Sequence, residues 1–535
     1  MRQILLPLLA TCALALPSLG QTPTTERVSV DSAGVQGNSH SGSPSISADG
    51  RFAAFTSGAS NLVPGDTNGV HDIFVHDLQT GQTTRVSVDS TGVQGNGNSF
   101  GVSISADGRS VAFHSYAGNL VPGDTNGWDD IFVHDRLTGQ TARVSVDSAG
   151  AQGNGGGANV PSISADDRFV AFSSSASNLV PGDTNGTTDV FVHDRQTGQT
   201  TRVSMDSNGV QGSGFSYSTS ISADGRFVAF TSSASNLVPG DTNAADDIFV
   251  HNRQTGLTTR VSVDFTGAQG NGYSRTPSIS ADGRSVAFQS YASNLVAGDT
   301  NGIPDTFVHD RQTGLTTRVS VDSTGAQGNG YSSWPSISAD GRFVAFFGNA
   351  SNLVPGDTNN ADDVFVHDRQ TTQTTRVSVD SAGVQGNSYS RQPSISADGR
   401  LVAFACGADN LVPGDTNGAD DIFVHDRGEP GFMLATSGTC PGPMTLTASN
   451  GTPGGTVAFV WGTSGSFTIP AGNPCAGTLL DLVPLLSPPP GYLLATADGS
   501  GTATASILVP SGACGTVRMQ AVDLSSCTTS NTASL

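Results

Sequence analysis

Between Thr24 and Arg427 the chain repeats one unit of 58 residues seven times, and this repeat constrains the fold more than any other feature. Each unit carries a Ser-Ala-Asp turn whose aspartate recurs every 58 residues, or 59 once, at Asp49, Asp107, Asp166, Asp224, Asp282, Asp340 and Asp398. A second motif, Gly-Asp-Thr-Asn, keeps the same spacing. A fixed period of this length, with several short strands in each unit, is typical of a propeller or another closed array.

The fourth repeat shows how one unit becomes a sheet. Short apolar runs predict four strands, at residues 220–222, 227–230, 248–251 and 258–263. Asp224-Gly225 separates the first two, and an Asp-Gly pair between apolar runs is a strong hairpin signal because glycine accepts a positive φ. A long loop, 234–247, precedes the third strand. Four antiparallel strands in each of seven units predict an all-β, seven-bladed β-propeller.

The phase of the repeat predicts how the ring closes. The chain begins with an isolated fourth strand at residues 24–30, and the last repeat stops after its third strand at Arg427. The N-terminal strand is therefore expected to complete the seventh blade. Closure of this kind removes the exposed sheet edges that an open array would present.

The run Pro-Ser-Ile-Ser-Ala-Asp-Gly-Arg-Phe-Val-Ala-Phe, followed by Asp-Ile-Phe-Val-His-Asp, resembles the TolB-type, WD-like propeller repeat. The resemblance covers residues 24–427. It implies a protein-binding scaffold of the bacterial envelope, in a family whose enzymatic relatives carry their catalytic residues elsewhere. It implies no catalytic residue in this chain.

The two ends of the chain differ from the repeats. Residues 1–20 read as a signal peptide, with Arg2, an apolar stretch at 4–17 and the small-residue site Ser18-Leu19-Gly20, so the protein is expected to be secreted. No later stretch reaches the ~20 apolar residues of a transmembrane helix. After a linker at 428–431, residues 432–535 predict a small β-sandwich, similar to the immunoglobulin-like modules of secreted bacterial proteins.

Four cysteines in this C-terminal module predict disulfides: Cys440, Cys475, Cys514 and Cys527. Three pairings are possible, and Cys440–Cys475 with Cys514–Cys527 is favoured because each closes a local loop.

The net charge of the chain argues against nucleic acid and anionic membranes as binding partners. With 24 basic and 45 acidic residues the chain carries −21, whereas nucleic acids and anionic membranes require clustered positive charge.

The Gly-Asp-Thr-Asn loops are candidate calcium sites. Asp66, Asn68 and Asp72 stand at relative positions one, three and seven, the oxygen spacing of calcium loops. The alternative is an Asx-turn, in which the same side chains cap the loop's own amides. In four repeats a further acid precedes position seven. The candidate ligands are Asp66, Asn68, Asp72, Asp124, Asn126, Asp130, Asp183, Asn185, Asp189, Asp241, Asn243, Asp247, Asp299, Asn301, Asp305, Asp357, Asn359, Asp363, Asp415, Asn417 and Asp421.

Seven of the ten histidines occupy one repeated position, from His76 to His425. A catalytic or metal role requires one special copy, so these are expected to be buried imidazoles that form hydrogen bonds between blades.

Ligand specificity is expected where the repeats differ, just before each inner strand. Aromatic and arginine residues collect there in the later repeats, and topology places them around one mouth of the central channel. Such a rim suits a sugar ring or a protein hot spot. The alternative is that the rings pack over their own loops. The candidates are Phe215, Tyr217, Tyr273, Arg275, Tyr331, Trp334, Tyr389 and Arg391.

These features favour a binding scaffold for a protein or a glycan over an enzyme. The alternatives are a glycan-active hydrolase or lyase at the channel mouth, or a structural surface or adhesin component. His-Glu-x-x-His is absent, and Gly-x-Ser-x-Gly occurs only once, at residues 97–101. Glu26 and Glu429 are the only glutamates of the propeller, both at its ends, and the sequence predicts no non-repeated acid near the channel.

Overall fold

The computed structural model describes residues 23–157 and 160–428, and after them the strands between Met433 and Ser534 with a few flanking residues. Residues 23–427 form one compact unit, and the chain from Gly428 onward belongs to a second. Within the described chain no helix is long and apolar enough to cross a membrane.

The first unit consists of strands in groups of four. Strand β1 (Thr24–Arg27) stands alone at the start. Blades 1 to 4 comprise β2 (Ser41–Ile46), β3 (Phe52–Ser57), β4 (Asp72–Asp77), β5 (Gln82–Arg85); β6 (Ser99–Ile104), β7 (Ser110–Ser115), β8 (Asp130–Asp135), β9 (Gln140–Arg143); β10 (Ser162–Ile163), β11 (Phe169–Ser174), β12 (Asp189–Asp194), β13 (Gln199–Arg202); and β14 (Ser216–Ile221), β15 (Phe227–Ser232), β16 (Asp247–Asn252), β17 (Leu257–Arg260).

Blades 5 to 7 continue the pattern, and the last of them lacks its own fourth strand. They comprise β18 (Ser274–Ile279), β19 (Ser285–Ser290), β20 (Asp305–Asp310), β21 (Leu315–Arg318); β22 (Ser332–Ile337), β23 (Phe343–Gly348), β24 (Asp363–Asp368), β25 (Thr374–Arg376); and β26 (Ser390–Ile395), β27 (Leu401–Cys406), β28 (Asp421–Asp426). Each blade is an antiparallel meander in sequence order. The seven-bladed propeller is therefore confirmed.

The N-terminal strand closes the ring as predicted. Strand β1 pairs antiparallel with β28, from Thr24 opposite Asp426 to Arg27 opposite Phe423. The seventh sheet thus has the order β1-β28-β27-β26. Because β1 takes the place of the fourth strand, its residues repeat the contacts that fourth strands make in the other blades.

The first strand of each blade lies innermost, and these strands join in a closed ring. The isoleucine N–H of each inner strand donates to a serine Oγ of the preceding inner strand, as from Ile221 to Ser162 at 3.1 Å. The same bond occurs at all seven junctions, including Ile46 to Ser394 where blade 1 meets blade 7.

The core lies between neighbouring sheets, because each sheet is covered on both faces and its central strands are apolar throughout. One cluster joins Val190 and Val192 of blade 3 to Val228 and Phe230 of blade 4. Within each blade two fully buried phenylalanines on the second and third strands pack together, such as Phe230 and Phe249 with ring centroids 5.9 Å apart.

The repeated histidines are buried, as predicted, and their hydrogen bonds reach the preceding blade through a threonine. His251 Nδ1 lies 2.9 Å from Thr258 Oγ1, and that hydroxyl donates to the Met205 carbonyl of the previous repeat. Since the hydroxyl has one proton, His251 donates from a protonated Nδ1. Burial lowers the pKa of His251 to about 4, so the imidazole is neutral.

The second unit contains two antiparallel sheets. One has three strands, β29 (Met433–Gly438), β30 (Gly442–Ser449) and β34 (Ala503–Val509). The other has five, β31 (Thr456–Thr468), β32 (Leu479–Pro484), β33 (Tyr492–Thr496), β35 (Arg518–Asp523) and β36 (Thr528–Ser534). The predicted sandwich stays a prediction. Cys440, Cys475, Cys514 and Cys527 lie outside the described residues, so their pairing stays a prediction.

Candidate functional site

The loops between second and third strands lie at the end of the ring where the inner strands begin. The same backbone hydrogen bond occurs wherever two blades meet. The carbonyl of the residue just before position seven of the loop accepts from an N–H at or near the start of the next blade's inner strand, as the Asp246 carbonyl does from Ser274 N–H. We call this end, formed by these loops and the beginnings of the inner strands, the loop mouth. The sequence-predicted rim residues all lie at or just before the starts of inner strands, and so at the loop mouth.

The candidate calcium residues are held by donors of their own blade. In blade 4, Arg260 Nη1 lies 3.6 Å from Asp241 Oδ1 and 3.7 Å from Asp247 Oδ2. Gln269 Nε2 donates to the same two oxygens at 2.7 and 2.8 Å. Asn243 turns its Nδ2 toward Asp247 Oδ2, at 3.3 Å. The other blades place a guanidinium in the same way.

This arrangement differs from a calcium loop, in which six or more oxygen atoms surround the ion. A guanidinium already holds the place of a cation between the two carboxylates, and the asparagine presents nitrogen rather than oxygen. Among the described residues no group of three or more His, Cys, Asp or Glu side chains could hold a metal ion. The calcium site stays a prediction. Calorimetric titration of the chelated protein tests it, since several equivalent sites would establish the loops as metal sites.

Each inner strand except the short β10 contains a bulge at the loop mouth. The pairing register between the inner strand and the second strand of the blade shifts after the inner strand's second residue. The third residue of the inner strand adopts a positive φ. Five of these six residues are not glycine: Ser43, Ser218, Thr276, Trp334 and Gln392, with φ between 50° and 54°. Bulges commonly redirect a side chain beside a functional site. Trp334, with 44% of its surface exposed, is the largest side chain so placed.

Acidic residues at position six of the loops join neighbouring blades at the mouth. Asp246 accepts from Tyr217 Oη of its own blade at 2.8 Å and from Arg275 Nε of the next blade at 2.8 Å. Asp362 accepts in the same way from Tyr331 and from Arg391.

Blade 7 has a related arrangement. Asp420 accepts from Tyr389 Oη at 2.6 Å, and the backbone N–H of Asp420 donates to Nδ1 of His40 in blade 1 at 3.0 Å. Three of the rim tyrosines and both rim arginines thus bond to loop acids, and the arginines also link neighbouring blades.

Other rim residues present their rings to solvent. Phe215 is 57% exposed, and Tyr273 and Tyr389 are exposed beneath the guanidinium groups of Arg275 and Arg391, which lie 5.0 and 4.8 Å from the ring centroids. Tyr331 instead packs edge-on against Phe347. Both alternatives of the sequence analysis therefore apply, to different members of the set.

Asp129 in blade 2 is the fourth acid at this loop position, and it differs from the other three. It is only 9% exposed, yet no side chain of a described residue donates to its carboxylate. Burial raises the pKa of Asp129 to about 6. The next blade is the one whose repeat is a residue longer, and it offers Gly156 and Gly157 at this junction.

Blade 2 also carries the non-repeated His114, beneath the bulge of β6. The side chain is half-buried, its Nδ1 atom is buried without a partner among the described residues, and burial lowers the pKa of His114 to about 4. Gly101 occupies the bulge position, where a Cβ would lie 2.9 Å from His114 Nδ1 and 3.2 Å from Val160 Cα. Phe100 packs between His114 and His71 with centroid distances of 5.7 and 5.2 Å.

The role of these acids was not predicted. The sequence predicted no non-repeated acid near the channel, whereas the structure places Asp129, Asp246, Asp362 and Asp420 at the loop mouth. Their presence in four of seven repeats was the available signal. A cavity of about 540 Å³ lies between the turn at Asp31–Ala33 and residues Ser60–Gly65 of the loop of blade 1, and its lining includes none of these four acids and none of the predicted rim residues.

Comparison of the sequence with protein-family models and with curated proteins finds no match. Solved structures similar to this chain include an oligogalacturonate lyase from Vibrio parahaemolyticus, with a TM-score of 0.46 and 14% identity over 77% of this chain and 95% of that one. TolB from Acinetobacter baumannii has a TM-score of 0.36 and 17% identity over 63% of each chain. An acylaminoacyl peptidase from Pyrococcus horikoshii has 0.43 and 10%, over 77% and 57%. These likenesses concern the propeller fold alone.

Proposed function

We propose that this protein is a secreted binding scaffold whose propeller presents its loop mouth to a protein or a glycan. The observation that carries the proposal is the set of solvent-exposed rings at the mouth, Phe215, Tyr273 and Trp334. Exposed aromatic side chains beside arginines are the composition of binding hot spots, and rings also stack on sugars. Repeated hydrogen bonds hold the surrounding scaffold, so the variable mouth residues are free to serve recognition.

Binding by the wild type and a triple variant tests the proposal. The mature chain is screened against a glycan array and against purified envelope proteins, and hits are titrated by calorimetry. The variant F215S/Y273S/W334S should weaken saturable binding by at least about tenfold, which corresponds to 1.4 kcal/mol. Phe265, 73% exposed on an outer turn, supplies the matched control, and F265S should bind normally. Saturable binding that the triple variant leaves unchanged would refute the proposal.

Two other classes of function make different predictions in the same preparation. A structural surface component would self-associate at micromolar concentration, which sedimentation measures. A hydrolase or lyase at the mouth would require a second carboxylate near Asp129, because most glycoside hydrolases use a pair. Turnover of an array hit would favour that alternative.

A further inference from the structure

The end of the ring opposite the loop mouth carries a repeated ion pair, and one blade lacks its carboxylate. Just before the second strand of each blade an arginine faces the last residue of the third strand. In blade 3, Arg168 donates from Nε at 2.9 Å and from Nη2 at 2.7 Å to the two oxygens of Asp194. Six blades have an aspartate at this position and form the pair. Blade 4 has Asn252 instead, opposite Arg226.

The orientation of Asn252 leaves donors without acceptors. Its Oδ1 accepts from the backbone N–H groups of Gln254 and Thr255, at 3.0 and 3.3 Å, and these bonds fix the amide. Nδ2 therefore takes the place that Oδ2 of Asp194 has in blade 3. Nδ2 has no partner among the described residues, and it is not one of the polar atoms that are buried without one. Arg226 keeps one long bond, from Nε to Asn252 Oδ1 at 3.4 Å, and its terminal nitrogens have no acceptor in the described chain.

A second arginine adds positive charge at the same place. The guanidinium carbons of Arg226 and of Arg311 in blade 5 lie 4.7 and 4.4 Å from the ring centroid of Phe227. Three other blades place two arginines over a phenylalanine in this way, and each of them has the aspartate. Burial lowers the pKa of Arg311, and the charge of Arg226 lowers it further. In blade 4 two guanidinium groups thus lie together, and no carboxylate of the described residues forms an ion pair with either.

We propose that Arg226, Arg311 and Asn252 form a binding site for a carboxylate group, supplied by an acidic side chain of a protein partner. A carboxylate is the ligand because an aspartate side chain fills this place in the other six blades, and a guanidinium binds it through two parallel hydrogen bonds. Arg226 is only half-buried, so a ligand can reach it from solvent. Asp224 Oδ1, which accepts from the Arg226 backbone N–H at 2.9 Å, disfavours a dianion such as sulfate, because like charges repel.

Acetate, the simplest carboxylate probe, tests the site without any partner. Isotopically labelled acetate is titrated into the protein at pH 7.5 and low ionic strength, and binding is followed by NMR of the acetate. One saturable site with a millimolar dissociation constant is expected, and sulfate should bind it more weakly. N252D, which supplies the protein's own carboxylate, should bind acetate at least about tenfold more weakly. No saturable binding, equal binding by N252D, or tighter binding of sulfate would overturn the proposal.

The D194N variant is the matched variant that should gain a site. Blade 3 holds Arg168 and Arg253 over the ring of Phe169, so loss of the Asp194 charge recreates the arrangement of blade 4. Two acetate ions should bind to each chain of this variant. A folded D194N variant that binds only one would contradict the equivalence of the two blades on which the proposal rests. N252D keeps the test decisive if D194N does not fold, because it introduces the residue that six blades already have.

Two larger probes identify the source of the carboxylate. Nα-acetyl-aspartate amide should displace acetate, as an acidic side chain of a protein would. Displacement by methyl glucuronide and not by the aspartate amide would assign the site to a sugar acid and refute a protein partner.

The site lies at the other end of the ring from the loop mouth, and it does not rest on the proposed function. The mouth variant F215S/Y273S/W334S should bind acetate as the wild type does. Loss of acetate binding in that variant would show that the probe binds at the mouth, and would overturn the carboxylate site. Loss of macromolecular binding alone concerns only the proposed function.

Discussion

Asp129 shows how a single residue can oppose the stability of the fold that contains it. Its carboxyl is buried, no cationic side chain of the described residues pairs with it, and burial raises the pKa of Asp129 to about 6. Because this value lies above that of an unfolded chain, about 3.9, the folded protein binds the extra proton between the two values. The group therefore destabilises the propeller above pH 6, and this penalty disappears as the pH falls toward 4.

The D129N substitution is expected to stabilise the protein by about 2 kcal/mol at pH 7.5, since it removes a buried charge of raised pKa. The gain should vanish near pH 4. Urea unfolding at the two pH values measures it. D246N is the matched control and should destabilise, because it removes the charge that Arg275 and Tyr217 bind. A D129N variant less stable than the wild type at pH 7.5 would contradict this account.

Gly101 is a second residue whose identity depends on its neighbours. G101S should destabilise by about 1 to 3 kcal/mol, because its Cβ would overlap the imidazole of His114 and crowd the backbone of Val160. The double variant G101S/H114T should recover most of this loss, since it recreates the pair Ser43 and Thr56 of blade 1. Thermal denaturation of the single and double variants gives the coupling energy. Additive effects would mean that strain at the positive φ, rather than the histidine, selects glycine.

At the scale of strands and blades, the repeated histidine on each third strand bonds to a threonine on the fourth strand. The hydroxyl of that threonine then donates to a carbonyl of the preceding repeat. T258V should cost about 1 to 3 kcal/mol, because it leaves the buried His251 Nδ1–H and the Met205 carbonyl without partners. Thr259, one residue along, is half-buried with its hydroxyl 3.4 Å from the Val250 carbonyl. T259V should change stability by less than about 0.5 kcal/mol. Equal losses in the two variants would rule out the inter-blade bond as the cause.

The elements of the propeller could be predicted from the sequence because each local signal recurs seven times. Asp224-Gly225, the apolar strands 227–230 and 248–251, and the isolated N-terminal strand all correspond to observed structure. The bulges could not be predicted, since Thr276 and Trp334 carry no signal for a positive φ. Nor could the partners of Asp241 and Asp247, because Arg260 and Gln269 reach them only when the fourth strand and the segment after it fold back against the loop.

At the scale of the whole molecule, β1 and β28 form a seam within blade 7, because they are the one pair of third and fourth strands that no hairpin turn connects. Ser29 Oγ donates to Asp421 Oδ1 there, as Ser87 does to Asp72 in blade 1, each at 2.5 Å. If unfolding begins at the seam, S29A should accelerate unfolding about tenfold and S87A less than about twofold, although both lose similar stability. Stopped-flow unfolding in urea measures both rates. Equal acceleration would show that the ring does not open at the seam.

The register of this seam also determines how the propeller responds to tension. Thr24 lies opposite Asp426, so the two ends of the ring leave from the same end of one strand pair. A force that pulls these ends apart loads the hydrogen bonds of β1 one after another, as in a zipper, rather than together in shear. We expect a low force to open the ring at β1. Tethered through its two flanking segments, the propeller would thus act as a mechanically weak link.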